Sequence, residues 1–342
     1  MAKDLTGSNI DRQNILNNPY AVAEIQKSIG IKGIEFHGKV VLLKEQVAAF
    51  FEVTLRTIEN YLASNENELH QNGYEVLQGK LLKDFKLAVF RQHGTETDFG
   101  TMLPKTSQLG IFDFRAFLNL AMLITESERA RSLRQAILDI VIDTINSRTG
   151  GGTTYINQRD EDFLFSYFKE EDYRKQFTDS LRDCVDMGNF KYPMYTDKVY
   201  VSIFKENARE YRKILQLHEK EKVRDTFYSE ILDLIASYEC GFADQLQQKL
   251  QQKGTKFSSF EVDVLFKQFE SQAHWKPLIE KARVKMASRD LAFRDALHRQ
   301  LQEYIFPLKA DEFEKFIGEK SMELEQRLAE AKDVMKRLKE RE

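Results

Sequence analysis

A run of three glycines, Gly150-Gly151-Gly152, is the feature that most limits how this chain folds. Before it, Ala130, Leu133, Ile137, Val141 and Ile145 recur at the spacing of one helix face. Three consecutive residues without side chains carry a large backbone entropy loss in a helix, so the run stops that helix and predicts a division of the chain. The length of 342 residues, more than one ordinary core holds, points the same way. We expect a first region over 1–150 with a long helix over 126–147, opened by a capping box at Thr125–Glu128, and a helical second region over 153–342.

Only five prolines occur, which permits long helices, and 25 Phe with 13 Tyr supply ample aromatic core. Residues 1–38 read as a polar lead-in with a turn over Asn14–Tyr20 and a short helix over Ala21–Ile29. Ile34–Leu43 holds two β-like runs around Gly38. A boundary is expected near Lys105. Beyond the glycines, Asp160–Asp186, Tyr195–Leu217, Arg224–Gln252 and Phe260–Phe306 read as helical, with a break at Lys191–Met194 and a stop at Gly254. Asp311–Glu342 reads as one charged helix with Phe313, Ile317, Leu324, Leu328 and Leu338 near heptad spacing. The expected class is mainly α with a small β component.

Hydrophobic residues make up 42% and charged residues 31%, as in a globular protein. No run of about eighteen uncharged apolar residues suggests a membrane span, and the polar start suggests no secretory signal. Cys184 and Cys240 stand apart without metal-ligand spacing, which favours small buried hydrophobes in a reducing cytoplasm. The six histidines are scattered, and no phosphate-binding loop, nucleophile elbow or HExxH helix is present, so no cofactor, metal or catalytic residue is expected. Two polar stretches bear weighing. Tyr155–Asp162 reads as helix capping rather than a functional loop, and Arg224–Glu230 with Glu239 reads as a salt-bridged face rather than a carboxylate centre. The net charge of −3 argues against a generic nucleic-acid coat but is compatible with a local basic face.

Val41–Leu62 carries a more specific pattern. A helix-turn-helix needs a small residue where its helices cross, and Ala48 stands there. It needs a hydrophobe to plug the turn, Val53, and a cap for the second helix, Thr54. Ile58 with Tyr61 or Leu62 then faces the core, leaving Arg56, Thr57 and Asn60 outward. Arg pairs bidentately with guanine and Asn with adenine, while Thr reaches a phosphate or thymine methyl. Glu52 occupies the turn position where Gly is commonest. Asn72–Gly79 and Phe85–Phe90 read as strands of a wing, with Lys80, Lys83 and Lys86 on its loop or edge and Lys44 at the first helix, all within reach of phosphates.

The run VVLLKEQVAAFFEVTLRTIENYLASNENELHQNGYEVLQG, Val40–Gly79, resembles the DNA-binding modules of phage and mobile-element proteins of the ORF6N, Bro-N and KilA-N kind, and is closer still to the RhuM family of bacterial proteins. Phe112–Ile124 and Arg129–Leu138 match that family's following helices in spacing, but lack its Gly-Tyr-Arg and Trp-Ala identities. The resemblance covers roughly residues 38–150 and implies double-stranded DNA binding in a mobile-element, phage or defence setting. The expectation is a DNA-binding protein acting without catalysis, homodimeric through the helix over 311–342 or joined to a protein partner through the C-terminal helices. The alternative is a toxin or defence effector with a nuclease-like second region.

Overall fold

The computed structural model describes residues 4–93, 106–321, 323–326 and 328–329. They form two units, Met1–Ser147 and Arg148–Glu342. The protein is mainly helical with one four-stranded antiparallel sheet, and among the described residues no helix is long and apolar enough to cross a membrane.

In the first unit, β1 (Ile34–Phe36), β2 (Lys39–Leu43), β3 (Tyr74–Gln78) and β4 (Gln108–Asp113) pair in the order β1-β2-β4-β3. Because successive strand residues point to opposite faces, this register divides the core in two. Val41, Leu43, Leu77 and Ile111 face one side, whereas Leu42 and Phe112 face the other. The second side is covered by α3 (Lys44–Phe51), α4 (Leu55–Ser64), α5 (Glu66–Gln71) and α7 (Phe114–Leu123), through Phe51, Ile58, Leu69 and Phe117.

The first side is covered by α6 (Gly79–His93), and here the wing expected from the sequence is corrected. Phe85–Phe90 is helical, not a strand. Leu82, Phe85 and Val89 share one helix face and bury against Ile34, Phe36 and Leu43, with Phe36 and Phe85 edge-to-face at 5.2 Å. The strand that returns beside β3 is β4, and the boundary expected near Lys105 lies outside the described residues. At the β3 entry Gly73 is held at φ 100°, with the Asp113 carboxylate where a Cβ would sit.

The polar lead-in is two helices, α1 (Asn9–Asn17) and α2 (Pro19–Ile29). The expected turn shrinks to Asn18, whose side chain accepts from the amides of Tyr20 and Ala21, with Pro19 at the first helical position. Ile15, Leu16 and Ile25 pack on Leu118 and Met122 of α7 and on Ile137 of α8 (Glu128–Arg148). α8 begins two residues later than expected because Ser127, not Thr125, accepts the Ala130 amide, at 3.1 Å.

The second unit contains α9 (Phe163–Cys184), α10 (Lys191–Phe204), α11 (Ala208–Ile214), α12 (Ser229–Lys253), α13 (Ser259–Glu270), α14 (Trp275–Arg294) and α15 (Ala310–Ile317). α12 is the axle, touching α9, α10, α13 and α14, which is why Leu232, Ile235, Tyr238 and Phe242 around it are all buried. Cys184 is buried and Cys240 half-buried, both as free thiols. The single charged helix expected over 311–342 is interrupted. α15 ends at Ile317 and Gly318 is extended, with Phe313 and Phe316 packed on Phe293 and Tyr228 of the same unit. An apolar stripe already covered by its own unit leaves nothing in 310–317 for a coiled-coil partner. Residues 330–342 lie outside the described residues.

Helix and strand readings of 85–90 make opposite predictions about alternate residues. Phe85 is fully buried and Leu87 is 55% exposed. We expect Phe85→Ala to cost about 3–5 kcal/mol in urea unfolding and Leu87→Ala to stay within about 0.5 kcal/mol. Equal losses at both positions would show a strand.

Candidate nucleic-acid interface

The α3–α4 pair is fixed by its turn. The Val53 amide donates to the Ala48 carbonyl at 3.0 Å, and Glu52 takes the left-handed conformation, φ 55° and ψ 42°. Ala48 is buried, Val53 is half-buried against the core, and Thr54 Oγ1 accepts from the Thr57 amide at 3.1 Å to start α4. Ile58 is fully buried below, and Tyr61 and Leu62 pack beside it. This leaves Leu55, Arg56, Glu59 and Asn60 exposed on one surface, with Thr57 at its edge tied to Thr54 by a 3.0 Å hydroxyl contact.

Lys44 reaches this surface from α3, its ammonium 2.5 Å from Glu59. That hydrogen bond holds the Glu59 carboxyl below the usual carboxylate range, so the acid beside Arg56 and Asn60 carries its own counter-charge. The start of α8 clamps both helices. Ser127 donates to the Phe51 carbonyl at 2.6 Å and Arg129 to the Phe50 carbonyl at 3.0 Å, satisfying orphan acceptors at the end of α3. Tyr61 donates to Glu126 at 2.7 Å and accepts from the Thr125 amide at 3.0 Å, which orients the far end of α4. Sequence reasoning missed this clamp, since Ser127 and Arg129 lie 76 and 79 positions from their partners.

The eight residues singled out from the sequence do not all meet. Lys44, Thr54, Arg56, Thr57 and Asn60 share the α3–α4 region, but Lys80, Lys83 and Lys86 lie on α6, across the sheet from α4. Lys86 donates to the Thr106 carbonyl at 3.2 Å, while Lys80 and Lys83 are exposed. A straight duplex against α4 therefore does not also meet the outer face of α6.

The second unit holds its unusual chemistry inside. Asp290 is fully buried and accepts from Arg294 at 2.7 Å, Tyr228 at 2.9 Å and Tyr211 at 3.3 Å. His298, also fully buried, bridges Asp290 at 2.8 Å and Glu206 at 2.7 Å. Arg294 continues to Asn157 and to the Thr226 carbonyl, each at 2.8 Å. Within Tyr155–Asp162, where Asn157 or Asp160 is the expected helix cap, Asn157 joins an interior network and donates to the Phe227 carbonyl, while Asp160 accepts from the Asp162 amide at 3.2 Å and also pairs with Lys315 at 2.9 Å. Arg224 pairs with Glu239 at 2.7 Å and also with Glu170, an acid outside the stretch weighed in the sequence, so these acids lie in an ion-paired packing face. Among the described residues no three His, Cys, Asp or Glu side chains are grouped to hold a metal ion.

Comparison with family models, with curated proteins and with solved structures finds no match to this chain.

Two outcomes follow from these geometries. Left-handed backbone costs a non-glycine residue about 1–2 kcal/mol, and the exposed Glu52–Arg129 pair at 3.2 Å returns well under 1 kcal/mol. Glu52→Gly should therefore raise the stability of the first unit by about 1 kcal/mol in denaturant; destabilisation would place Glu52 in a different role. For His298, burial lowers the pKa, but hydrogen bonds to Asp290 and Glu206 outweigh it and raise it from 6.5 to about 9. Burial likewise opposes ionisation of Asp290, but Arg294 and His298 outweigh it and hold the carboxyl low. A folded pKa above the unfolded one gives stability that is complete below about pH 6.5 and lost as the pH rises through about 9. The melting temperature should fall across that window in the wild type, and His298→Gln should lack that part of the slope. A wild-type profile flat from pH 6.5 to 9 would contradict the buried imidazolium.

Proposed function

We propose that this chain is a DNA-binding protein in which α3 and α4 form a helix-turn-helix and α4 enters the major groove. The observation that carries this reading is the exposed surface of α4, where Arg56 and Asn60 project beside Lys44 while Thr54 caps the helix and Ile58 anchors it. Groove reading requires side chains held on a rigid element with the backbone behind them fixed, and the Ser127, Arg129 and Tyr61 contacts supply that support. The strand order adds to it. A helix pair inserted between β2 and β3, with β4 closing between those strands, is the connectivity of a winged helix-turn-helix, whose wing region here contains α6.

In this reading Arg56 and Asn60 read bases, while Thr54, Thr57 and Lys44 set the register on phosphates. The resemblance of Val40–Gly79 to phage and mobile-element modules favours a defence or mobile-element setting for this activity. The second unit, in which Glu170, Glu239 and Asp290 are held in internal ion pairs, acts as an interaction domain.

Selection of duplexes from a random pool by the full-length protein tests the proposal, followed by anisotropy titration of the selected site. Arg56→Ala should weaken specific binding by about 1–3 kcal/mol and relax one base position, whereas Lys44→Ala should weaken all duplexes alike and lower the salt slope by about one. No enrichment from the pool, or an Arg56→Ala variant that binds the selected site as tightly as wild type, would overturn it.

A further inference from the structure

We propose that the outer face of α6 is one half of a self-association contact whose other half is the outer face of α9 on a second copy of this chain. This inference is independent of the DNA-binding reading. The outer face of α6 carries Leu87, 55% exposed, and Phe90, 57% exposed, flanked by the exposed cations Lys80, Lys83 and Arg91, with Asp84 as the one acid among them. The outer face of α9 carries Phe165, 72% exposed, and Phe168, 41% exposed. Glu161 and Asp162 precede them and Glu171 and Asp172 follow, all exposed. Lys169 on this face is drawn to Asp233 at 3.5 Å, and Lys175 lies a turn beyond Glu171.

The two faces match in three respects. Each presents an apolar pair three residues apart, so each pair stands on one side of its helix one turn apart. The charges reach a similar distance along each helix: Lys80 to Arg91 spans eleven helical steps of α6, about 16 Å, while on α9 Glu161 and Asp162 stand just before the helix and Asp172 nine steps into it. Their charges are opposite, and each set flanks the apolar pair rather than interrupting it. Side chains of this kind, aromatic and aliphatic at the centre with charge at the rim, form the anchors and border of protein interfaces. Opposite rims align the helices and penalise like-with-like pairing. Both halves sit on one chain, so in the proposed dimer α6 of each copy meets α9 of the other and the contact is made twice.

The test is charge reversal with mixing, on the full-length protein, by sedimentation velocity at about 1–100 µM, where a standard-size interface of moderate affinity is populated. Wild type should be dimeric at low salt, with the dissociation constant rising about tenfold or more between 0.05 and 0.5 M salt, ionic strengths that bracket strong and weak screening. Lys83→Glu with Arg91→Glu should be monomeric, and so should Glu171→Lys with Asp172→Lys, each with an unchanged melting temperature because the positions are exposed. An equimolar mixture of the two variants should dimerise, since every contact in the mixed dimer again joins opposite charges. A wild-type monomer across the range, a dimer indifferent to either reversal, or a mixture that stays monomeric overturns the proposal. Should either pair of reversals melt early, Leu87→Ser with Phe90→Ser, which removes the apolar pair without adding charge, must also give a monomer.

Discussion

The pairing of β4 between β2 and β3 is the constraint on which the first unit depends. Its neighbours Ile111 and Phe112 point to opposite sides of the sheet, so a single dipeptide commits the strand to two separate cores. On one side lies α6; on the other lie the helix pair α3–α4 and the central helix α7. Shifting β4 by one residue would exchange Ile111 and Phe112, and neither helical layer would then meet an apolar surface. The exposed face of α4 exists because Ile58 is drawn into the Phe112 side of this arrangement. Thr54 caps the near end of α4, and the contact of Tyr61 with Thr125 and Glu126 fixes its far end.

The second unit rests on a different economy. Its interior buries whole ion pairs, Asp290 with Arg294 and His298, and Glu239 with Arg224. Charges without water are tolerable only when each is met by an opposite charge and the remaining donors and acceptors are filled. The Asp290 cluster meets that condition by drawing on five parts of the chain: Asn157, Glu206, Tyr211, Thr226 with Tyr228, and the end of α14 with His298. Such a cluster specifies one arrangement of the helices around α12, because a helix displaced by one turn would leave a buried charge unpaired. It also explains why acids that look like candidates for chemistry in the sequence serve the interior instead.

Much of the helical framework was legible from local signals. Gly30 and Gly254 end α2 and α12 in left-handed backbone, Thr54 caps α4, and the β-like runs around Gly38 pair as β1 and β2. The candidate interface was legible for the same reason: Ala48, Val53, Thr54 and Ile58 lie within eleven residues, and their roles depend on helix periodicity, a turn and a cap, all of them local. Lys80, Lys83 and Lys86 were assigned to the same surface because sequence proximity does not reveal which side of a sheet a segment covers.

By itself the sequence determined where helices start and stop, since caps, glycines and apolar spacing act over one or two turns. Only the tertiary structure decided the identity of 85–90 as helix, because a short apolar run fits either period until the sheet offers Ile34 and Leu43 to bury against. It alone decided that the helix begun at Ala310 stops at Ile317, where Phe313 and Phe316 close over Phe293 and Tyr228 rather than over a second copy. The physical reason is the same in each case. Local propensities differ by fractions of a kcal/mol per residue, whereas burying one aromatic side chain is worth about 1.5–3 kcal/mol, so long-range burial settles whatever local preference leaves open.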